Sequence, residues 1–268
     1  MTELRRIHAL GWITSKRLER GGTLVSCEAP QCGGYTLEAE LDIIPNGRSE
    51  PDYLGWEIKA HTVKDFTRPP ASESITLMTP NPNGGYYKEH GAADFLRRYG
   101  YPDTQGHEDR INFGGVHRAG VPVDNRPKGG VVSVLTVDSY DRATETVTDD
   151  ETCGISLRTA TGEVIARWDY AGLLTHWQKK HASAAYVPMI KQAGPLQYSY
   201  GPVVRMGETT SIRHFLRAVA DGVIVYDPAP KLENASTHPK TKERHQFRIA
   251  SRNISALYDS LTSEPVTP

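Results

Sequence analysis

The segment from Pro51 to Lys59 constrains the fold more than any other part of the chain. Its aromatic and β-branched residues favour a β-strand, and the upstream turn signal Pro45-Asn46-Gly47 predicts a hairpin that leads into it. Because side chains alternate along a strand, Glu57 and Lys59 point to one face. Ile58 then points to the opposite face, where we expect a hydrophobic core.

Asp52 lies a few residues before Glu57, so the segment offers two carboxylates beside the lysine of Lys59. Carboxylate oxygens bind hard divalent cations, and a neighbouring lysine can stabilise an anionic oxygen. The combination predicts metal-assisted hydrolysis of a phosphodiester. The alternative is an edge strand with a solvated charged face, on which Glu57 and Lys59 form only a weak surface pair.

A further carboxylate, Glu38, lies fourteen residues before Asp52. We predict a short helix over Tyr35–Leu41 with Thr36 as its N-cap. A helix that carries a glutamate, then a hairpin, then a strand with Glu-x-Lys is the layout of the PD-(D/E)xK nuclease core. The order of these elements therefore favours the nuclease interpretation over the solvated edge strand.

The chain resembles the MvaI/BcnI family of type II restriction endonucleases, which is related to the mismatch-repair nickase MutH. The resemblance spans residues 34 to 258 of the chain. The motifs that carry it are Gly34-Tyr35-Thr36-Leu37-Glu38, Asn46-Gly47, Pro51-Asp52, Gly55-Trp56-Glu57-Ile58-Lys59, Tyr99-Gly100-Tyr101-Pro102-Asp103, Asp109-Arg110-Ile111-Asn112-Phe113-Gly114-Gly115, Arg244-His245-Gln246-Phe247-Arg248-Ile249 and Leu257-Tyr258.

The resemblance implies a mixed α/β restriction-endonuclease-like core with a second, DNA-recognition lobe. We expect the catalytic lobe over residues 1–140 and the recognition lobe over residues 141–268. The expected catalytic residues are Glu38, Asp52, Glu57 and Lys59. Asp52, Glu57 and the main-chain carbonyl of Ile58 are expected to bind Mg²⁺, which Mn²⁺ can replace. The resemblance further implies a monomer that cuts one strand of a short GC-rich site at a time.

The segment from Lys231 to Arg252 is rich in basic residues and is predicted to contact DNA. The alternative is a solvated basic loop. Arg110 and His117 are additional candidates for the DNA backbone, although Asp109 could hold Arg110 in a structural pair. His61 could approach the scissile phosphate or be only a polar residue at the end of the strand. The predicted DNA-binding residues are Arg110, Lys242, Arg244, His245, Arg248 and Arg252.

Composition narrows the class of protein without identifying a DNA enzyme. The 268 residues carry a formal net charge of -1, so a DNA-binding chain must separate its basic and acidic surfaces. There is no apolar run of about eighteen residues and no signal-peptide core. Cys27, Cys32 and Cys153 fit a reducing cytosol better than a disulfide framework, and a zinc site is disfavoured. We expect a cytoplasmic enzyme paired with a DNA methyltransferase.

Three other functions are compatible with the sequence: a MutH-like nickase, the nuclease of another defence system, and a DNA-binding module without catalysis. The presence of all the expected catalytic residues argues against the last.

Elsewhere the sequence patterns predict a set of regular elements. These are a helical stretch at 5–18, strands at 23–26, 75–78, 131–137 and 222–227, a hairpin at 155–168, helices at 92–98, 169–180, 209–220 and 254–261, a long loop region at 102–130 and a frayed end at 264–268.

Overall fold

The structure, a computed structural model, describes residues 1–45, 50–68, 70–148 and 152–267 and is a mixed α/β protein. The α-helices are α1 (Thr2–Ala9), α2 (Cys32–Glu40), α3 (Tyr86–Tyr99), α4 (Tyr170–His181) and α5 (Ile212–Ala220). The strands are β1 (Ile13–Thr14), β2 (Lys16–Leu18), β3 (Leu24–Ser26), β4 (Glu57–Thr62), β5 (Ser74–Met78), β6 (Tyr101–Pro102), β7 (Ile111–Asn112), β8 (Val123–Asp124), β9 (Val132–Val137), β10 (Tyr140–Asp141), β11 (Thr146–Val147), β12 (Gly154–Thr159), β13 (Val164–Asp169), β14 (Ser183–Gln192), β15 (Gln197–Tyr200), β16 (Val203–Glu208), β17 (Ile224–Tyr226), β18 (Lys231–Glu233), β19 (Lys240–Lys242), β20 (Phe247–Ala250) and β21 (Ser260–Pro265). Residues Arg126–Lys128 and Ser251–Leu257 form 3-10 helices.

The chain forms two compact units, and each is assembled from separate stretches of sequence. Unit 1 comprises Met1–Ile75, Trp177–Ser211 and Ala250–Pro268, and unit 2 comprises Thr76–His176 and Ile212–Ile249. This division differs from the expected lobes at 1–140 and 141–268. The difference arises because the main sheet of unit 1 takes strands from the second half of the chain.

Strand β14 is the centre of the unit 1 sheet. It pairs antiparallel with β15 and β16 and parallel with β4, and β16 pairs in turn with β21. In the β4–β14 register, Glu57 lies opposite Ala184 and Lys59 opposite Tyr186. The middle of β14 is buried on both faces, as is usual for a strand in the interior of a sheet. This pairing fixes the position of the motif strand β4.

Helix α2 packs its apolar side onto the core of unit 1. Leu37 and Leu41 are buried in a cluster that includes Ile58 and Val187. Burial of a leucine side chain typically contributes about 1.5–3 kcal/mol. The predicted N-cap, Thr36, is wrong because the helix already begins at Cys32.

The hydroxyl of Thr36 has a different role from capping. It accepts a hydrogen bond from the Lys16 N–H at 3.0 Å and donates one to the Lys16 carbonyl at 3.1 Å, which ties α2 to β2. The Asn46-Gly47 turn lies outside the described residues.

Cys27 and Cys32 form a disulfide, with their Cα atoms 5.7 Å apart. The inference from composition that disulfides are absent is therefore wrong for this pair. Both residues are buried in the unit 1 core at the start of α2, where a short loop brings them together. Cys153 is a free thiol.

Unit 2 contains several small sheets around an aromatic core. One sheet has the order β13-β12-β9-β8, another β19-β18-β7-β6, and a third β17-β20-β5. The predicted hairpin is present as β12 and β13, and the predicted strands at 75–78 and 131–137 match β5 and β9. The region predicted as a long loop carries only the short strands β6, β7 and β8 and a 3-10 helix.

Both ends of the chain differ from the predictions. The N-terminal helix stops at Ala9, and β1 and β2 follow within the stretch predicted as helical. The predicted helix at 254–261 is wrong, since that region is a 3-10 helix followed by β21. The end is not frayed up to Val266, which is buried against the unit 1 core. No helix among the described residues is long and apolar enough to cross a membrane.

Candidate active site

The side chains of β4 separate into a polar face and a core face. Glu57 and Lys59 share one face, and the Lys59 Nζ donates to the Glu57 Oε1 at 2.6 Å. Glu57 is almost fully buried, whereas Lys59 is partly exposed. Ile58 belongs to the hydrophobic cluster below the sheet. The alternation predicted from the sequence is confirmed. The solvated charged face is excluded because the Glu57 carboxylate is buried, although β4 is paired with β14 alone among the described strands.

Asp52 is placed beside this strand by a tight reversal of the chain. The N–H of Tyr53 donates to the carbonyl of Trp56 at 2.9 Å, and the N–H of Trp56 donates to the carbonyl of Tyr53 at 2.8 Å. The carboxylate of Asp52 then accepts a hydrogen bond from the Ile58 N–H at 3.1 Å through Oδ2. Asp52 is thereby oriented toward the start of β4.

Lys180 is a member of this site that the sequence does not reveal. It lies near the end of α4, and its Nζ is 3.7 Å from the Glu57 Oε1. Two lysines therefore face the same carboxylate oxygen, one from the motif and one from a distant helix. Only the parallel pairing of β4 with the strand that follows α4 brings Lys180 here, and no local spacing in the sequence indicates it.

The acidic groups of the site are coupled. Burial raises the pKa of Glu57, and the neighbouring Lys59 opposes that shift. Burial, followed by the charge of Asp52, raises the pKa of Glu38 to about 7, with Lys59 and Lys180 acting in the opposite direction. The structure thus brings Glu38 into the electrostatic environment of the other catalytic candidates, as the sequence predicts.

The residues present fit a hard divalent cation. The Glu57 Oε2 is buried and has no hydrogen-bond partner among the described residues, so it is a carboxylate oxygen left for another ligand. Asp52 supplies a second carboxylate, and oxygen ligands suit Mg²⁺ or Mn²⁺. Within the described ranges, no three His, Cys, Asp or Glu side chains are already gathered as a ligand set. A main-chain oxygen such as that of Ile58 would therefore be needed.

His61 continues the same face of β4 but is buried. Burial, followed by the charge of Arg205, lowers its pKa to about 4, so the ring is neutral at physiological pH. Of the two interpretations drawn from the sequence, this environment favours the structural residue over a group that meets the scissile phosphate.

A family model decides what kind of protein carries this site. The model of the MvaI/BcnI restriction endonuclease family matches residues 1–258. The chain belongs to the MvaI/BcnI restriction endonuclease family. It is therefore a type II site-specific deoxyribonuclease, and the resemblance described from the sequence is confirmed.

Solved structures support the fold. The chain is similar to the restriction endonuclease MvaI in complex with its cognate DNA substrate, with a TM-score of 0.72, 15% identity, and coverage of 99% of this chain and 96% of that chain. For MvaI in the absence of DNA the TM-score is 0.51 at 16% identity, with coverage of 98% and 94%. No curated protein matches the chain significantly. The restriction-endonuclease fold is therefore confirmed.

Unit 2 of this MvaI/BcnI endonuclease contains a cleft of about 620 Å³. Its lining includes Arg110, Lys242 and Arg244, which the sequence predicts as DNA-binding residues, and Lys128, which it does not. These basic groups come from segments that are far apart in the sequence. The cleft lining carries more basic than acidic side chains, even though the chain as a whole is nearly neutral.

Arg110 is held by Asp103, not by Asp109. The Arg110 Nε donates to the Asp103 Oδ2 at 3.0 Å, and a second guanidinium nitrogen contacts the same oxygen. Main-chain N–H groups, first that of His107, and the Arg110 contact lower the pKa of Asp103. Asp109 instead accepts from the N–H of Ser236. Arg110 is therefore largely a structural residue of the cleft wall.

His245 and His117 are both fully buried, which disfavours the DNA contact predicted for His245 and the one considered for His117. The His245 Nδ1 lies 2.7 Å from the Tyr226 hydroxyl, and burial lowers its pKa to about 3. The His117 Nε2 lies 2.9 Å from the Ser133 hydroxyl. The basic residues around His245 make the whole segment look exposed in the sequence. His245 nevertheless lies on the side of the segment that faces the interior.

The remaining predicted DNA contacts have different environments. Arg244 is exposed, whereas Arg248 is half-buried and pairs with Asp227 at 2.5 Å. Arg252 is exposed but belongs to unit 1. The basic segment is consequently divided between the two units, and only part of it lines the unit 2 cleft.

Proposed function

We propose that Asp52, Glu57 and the main-chain carbonyl of Ile58 hold one Mg²⁺ ion, which Mn²⁺ can replace. The observation that carries this proposal is the buried, unpartnered Oε2 of Glu57 beside a second carboxylate. When bound, the cation supplies Lewis-acid activation and neutralises charge on the phosphate. A buried carboxylate without a ligand on one oxygen is costly, so a cation also stabilises the site.

The chain's own residues then divide the remaining work. Lys59 is fixed by its 2.6 Å contact with Glu57 and stabilises negative charge that develops on the scissile phosphate. Lys180 approaches the same carboxylate from the other element and adds a second positive charge. Glu38, with its pKa raised to about 7, is suited to accept the proton released by the attacking water near neutral pH.

The substrate proposed for this centre is a short, specific, GC-rich site in double-stranded DNA, cut one strand at a time by a monomer. One PD-(D/E)xK set lies in the part of the chain that the structure describes, and one centre serves one phosphodiester per binding event. Arg244 and Lys242 contact the duplex from the unit 2 cleft. A cognate DNA methyltransferase protects the host genome, and the enzyme acts in the cytoplasm, where its DNA substrate is.

The proposal is tested by a cleavage time course on supercoiled plasmid, followed by sequencing of the cut ends. In Mg²⁺ or Mn²⁺ we expect an open circular intermediate before the linear product, with ends at one short sequence. Ca²⁺ should support binding with little cleavage because it accepts a looser oxygen shell. Robust cutting in excess EDTA would contradict the metal assignment, and linear product without a nicked intermediate would contradict the strand-by-strand mode.

A further inference from the structure

The turn that connects Asp52 to Glu57 has an unusual residue at its tip. Tyr53 and Trp56 close a two-residue hairpin turn, and the two residues between them have positive φ angles, 47° at Leu54 and 82° at Gly55. Positive φ at both central positions defines a type I′ turn, whose preferred sequence is Asn-Gly. Here a leucine occupies the first position, where the left-handed conformation is unfavourable for a branched apolar residue.

Burial of the Leu54 side chain does not offset the unfavourable energy of this backbone conformation. Its exposure is 85%, the largest among the exposed large hydrophobic residues in the described ranges, and the next values are 53% at Leu24 and Val121. An asparagine or glycine would satisfy the turn and would expose no apolar surface. Leu54 therefore destabilises the free protein in two ways, through its unfavourable backbone conformation and through its exposed apolar surface. A residue with both disadvantages indicates a role in a complex.

The position of the turn indicates the partner. Leu54 is two residues from Asp52 and three from Glu57, on the short segment that lies between the two carboxylates in the chain. A duplex that presents a phosphate to these carboxylates must approach the same segment. Apolar wedges, leucine among them, are a known means by which proteins engage the grooves and base steps of DNA.

We propose that Leu54 is a DNA wedge that packs against the nucleotides flanking the scissile phosphodiester and positions that bond at the catalytic carboxylates. The inference rests on the proposed nuclease centre at Asp52 and Glu57. Leu54 is a positioning residue and takes no part in the chemistry. In the complex its apolar surface is removed from water, and the rigid turn transmits the resulting register to both carboxylates.

The test compares four variants of one position. Leu54→Asn and Leu54→Gly suit the turn and remove the apolar side chain, Leu54→Met keeps apolar volume, and Leu54→Ala is intermediate. We expect kcat/KM for cognate DNA to fall by about 10- to 100-fold in the asparagine and glycine variants, as expected for loss of one buried leucine. The methionine variant should retain most of the activity. Thermal unfolding midpoints should follow the opposite order, with asparagine and glycine at or above the parent.

Leu10, which is 50% exposed at the end of α1, provides the matched control, and Leu10→Ala should leave cleavage unchanged. Equal kcat/KM for the parent, Leu54→Asn and Leu54→Gly enzymes would overturn the wedge. So would a loss of activity that follows a loss of thermal stability. If the proposed nuclease centre is wrong, the result differs: replacement of Lys59 would then leave cleavage unchanged, whatever residue occupies position 54.

Discussion

Each unit of the molecule places two lysines around one glutamate, and the two arrangements behave differently. In unit 1 the side chain of Glu57 is only 2% exposed, with Lys59 at 2.6 Å and Lys180 at 3.7 Å. Despite these two positive neighbours, burial raises the pKa of Glu57. Its second oxygen still has no hydrogen-bond partner among the described residues.

In unit 2 the side chain of Glu233 is 27% exposed, with Lys231 at 3.0 Å and Lys242 at 2.9 Å. Hydrogen bonds from Lys242 and Lys231 lower its pKa to about 2. Lys231 contacts Oε1 and Lys242 contacts both oxygens, so the carboxylate is satisfied. Pairs that solvent reaches in this way contribute little to stability.

The difference shows that burial, and not composition, distinguishes the Glu57 arrangement from the Glu233 arrangement. Glu57 is kept away from water and is incompletely paired, so it can accept a cation as ligand. Glu233 is already paired within the chain, and its lysines can exchange that partner for a DNA phosphate. The same two residue types are therefore suited to chemistry in unit 1 and to electrostatic attraction in unit 2.

The largest effect is expected when the two glutamates are replaced. Glu57→Gln should lower single-turnover cleavage by at least about 1000-fold, because it removes a cation ligand and the partner of Lys59. Glu233→Gln should change the same rate by less than about tenfold, as expected for an exposed group. Binding of cognate DNA in Ca²⁺ should survive both changes. A similar loss of rate in both variants would remove the distinction between the two arrangements.

A smaller difference between the two units is expected when the lysine farther along the sequence from each glutamate, Lys180 or Lys242, is replaced. Lys180→Ala should reduce cleavage by about 10- to 100-fold at saturating DNA, and Lys180→Arg should restore part of it, because a positive charge near the phosphate is restored. Lys242→Ala should instead weaken binding to all sequences and reduce the salt dependence by about one counterion. Rates from single-turnover experiments and affinities over a salt series separate the two. Full activity of Lys180→Ala would exclude it from the site.

Within unit 2, exposure should separate the two arginines of the basic segment. Arg244 is exposed in the cleft, whereas Arg248 is engaged by Asp227. Arg244→Ala should lose about 1–3 kcal/mol of discrimination between cognate and single-mismatch duplexes if it contacts a guanine. Arg248→Ala should lower affinity less selectively, through loss of its pairing with Asp227. Unchanged affinity and discrimination in both variants would show that neither arginine recognises the DNA sequence. The loops between 102 and 130 would then be the next candidates for base recognition.

The smallest expected effect concerns Glu38 and pH. Its pKa of about 7 in the fold lies above the ordinary value of 4.5, so the folded state holds a proton that the unfolded state releases. Its contribution therefore favours the folded state below pH 4.5 and is lost as pH rises to 7, by less than about 3 kcal/mol. Without divalent metal, Glu38→Gln should remove this part of the pH dependence of thermal unfolding. Identical pH profiles of thermal unfolding for the parent and Glu38→Gln proteins would show that burial does not raise the pKa of Glu38.

The short-range part of the site follows from the sequence, and the long-range part does not. Spacing within Asp52–Lys59 determines which side chains share a strand face, so the motif is predictable. The position of Lys180 beside Glu57 depends on the pairing of β4 with β14. The two residues are more than a hundred positions apart in the sequence, so no local spacing predicts their contact. The sequence pattern does not indicate strand β14, because Pro188 and the paired alanines lower the strand signal in a stretch that burial nevertheless stabilises.

Burial also explains why the DNA-contact predictions are only partly consistent with the structure. The pattern Arg244-His245-Gln246-Phe247-Arg248 alternates between surface and interior, so His245 and Phe247 are buried while Arg244 is exposed. Charge counts along a segment do not distinguish these faces. The pairing of Arg110 with Asp103 depends on a loop conformation that periodicity does not specify.

The central claim is that the Asp52–Lys59 face is a metal-dependent nuclease centre. The most direct measurement is single-turnover cleavage of a plasmid by the parent enzyme and by Lys59→Ala in Mg²⁺, with binding measured in parallel in Ca²⁺. We predict site-specific cutting by the parent, no detectable cutting by the variant, and similar affinities for the two. Cutting by Lys59→Ala at the parental rate would contradict the account.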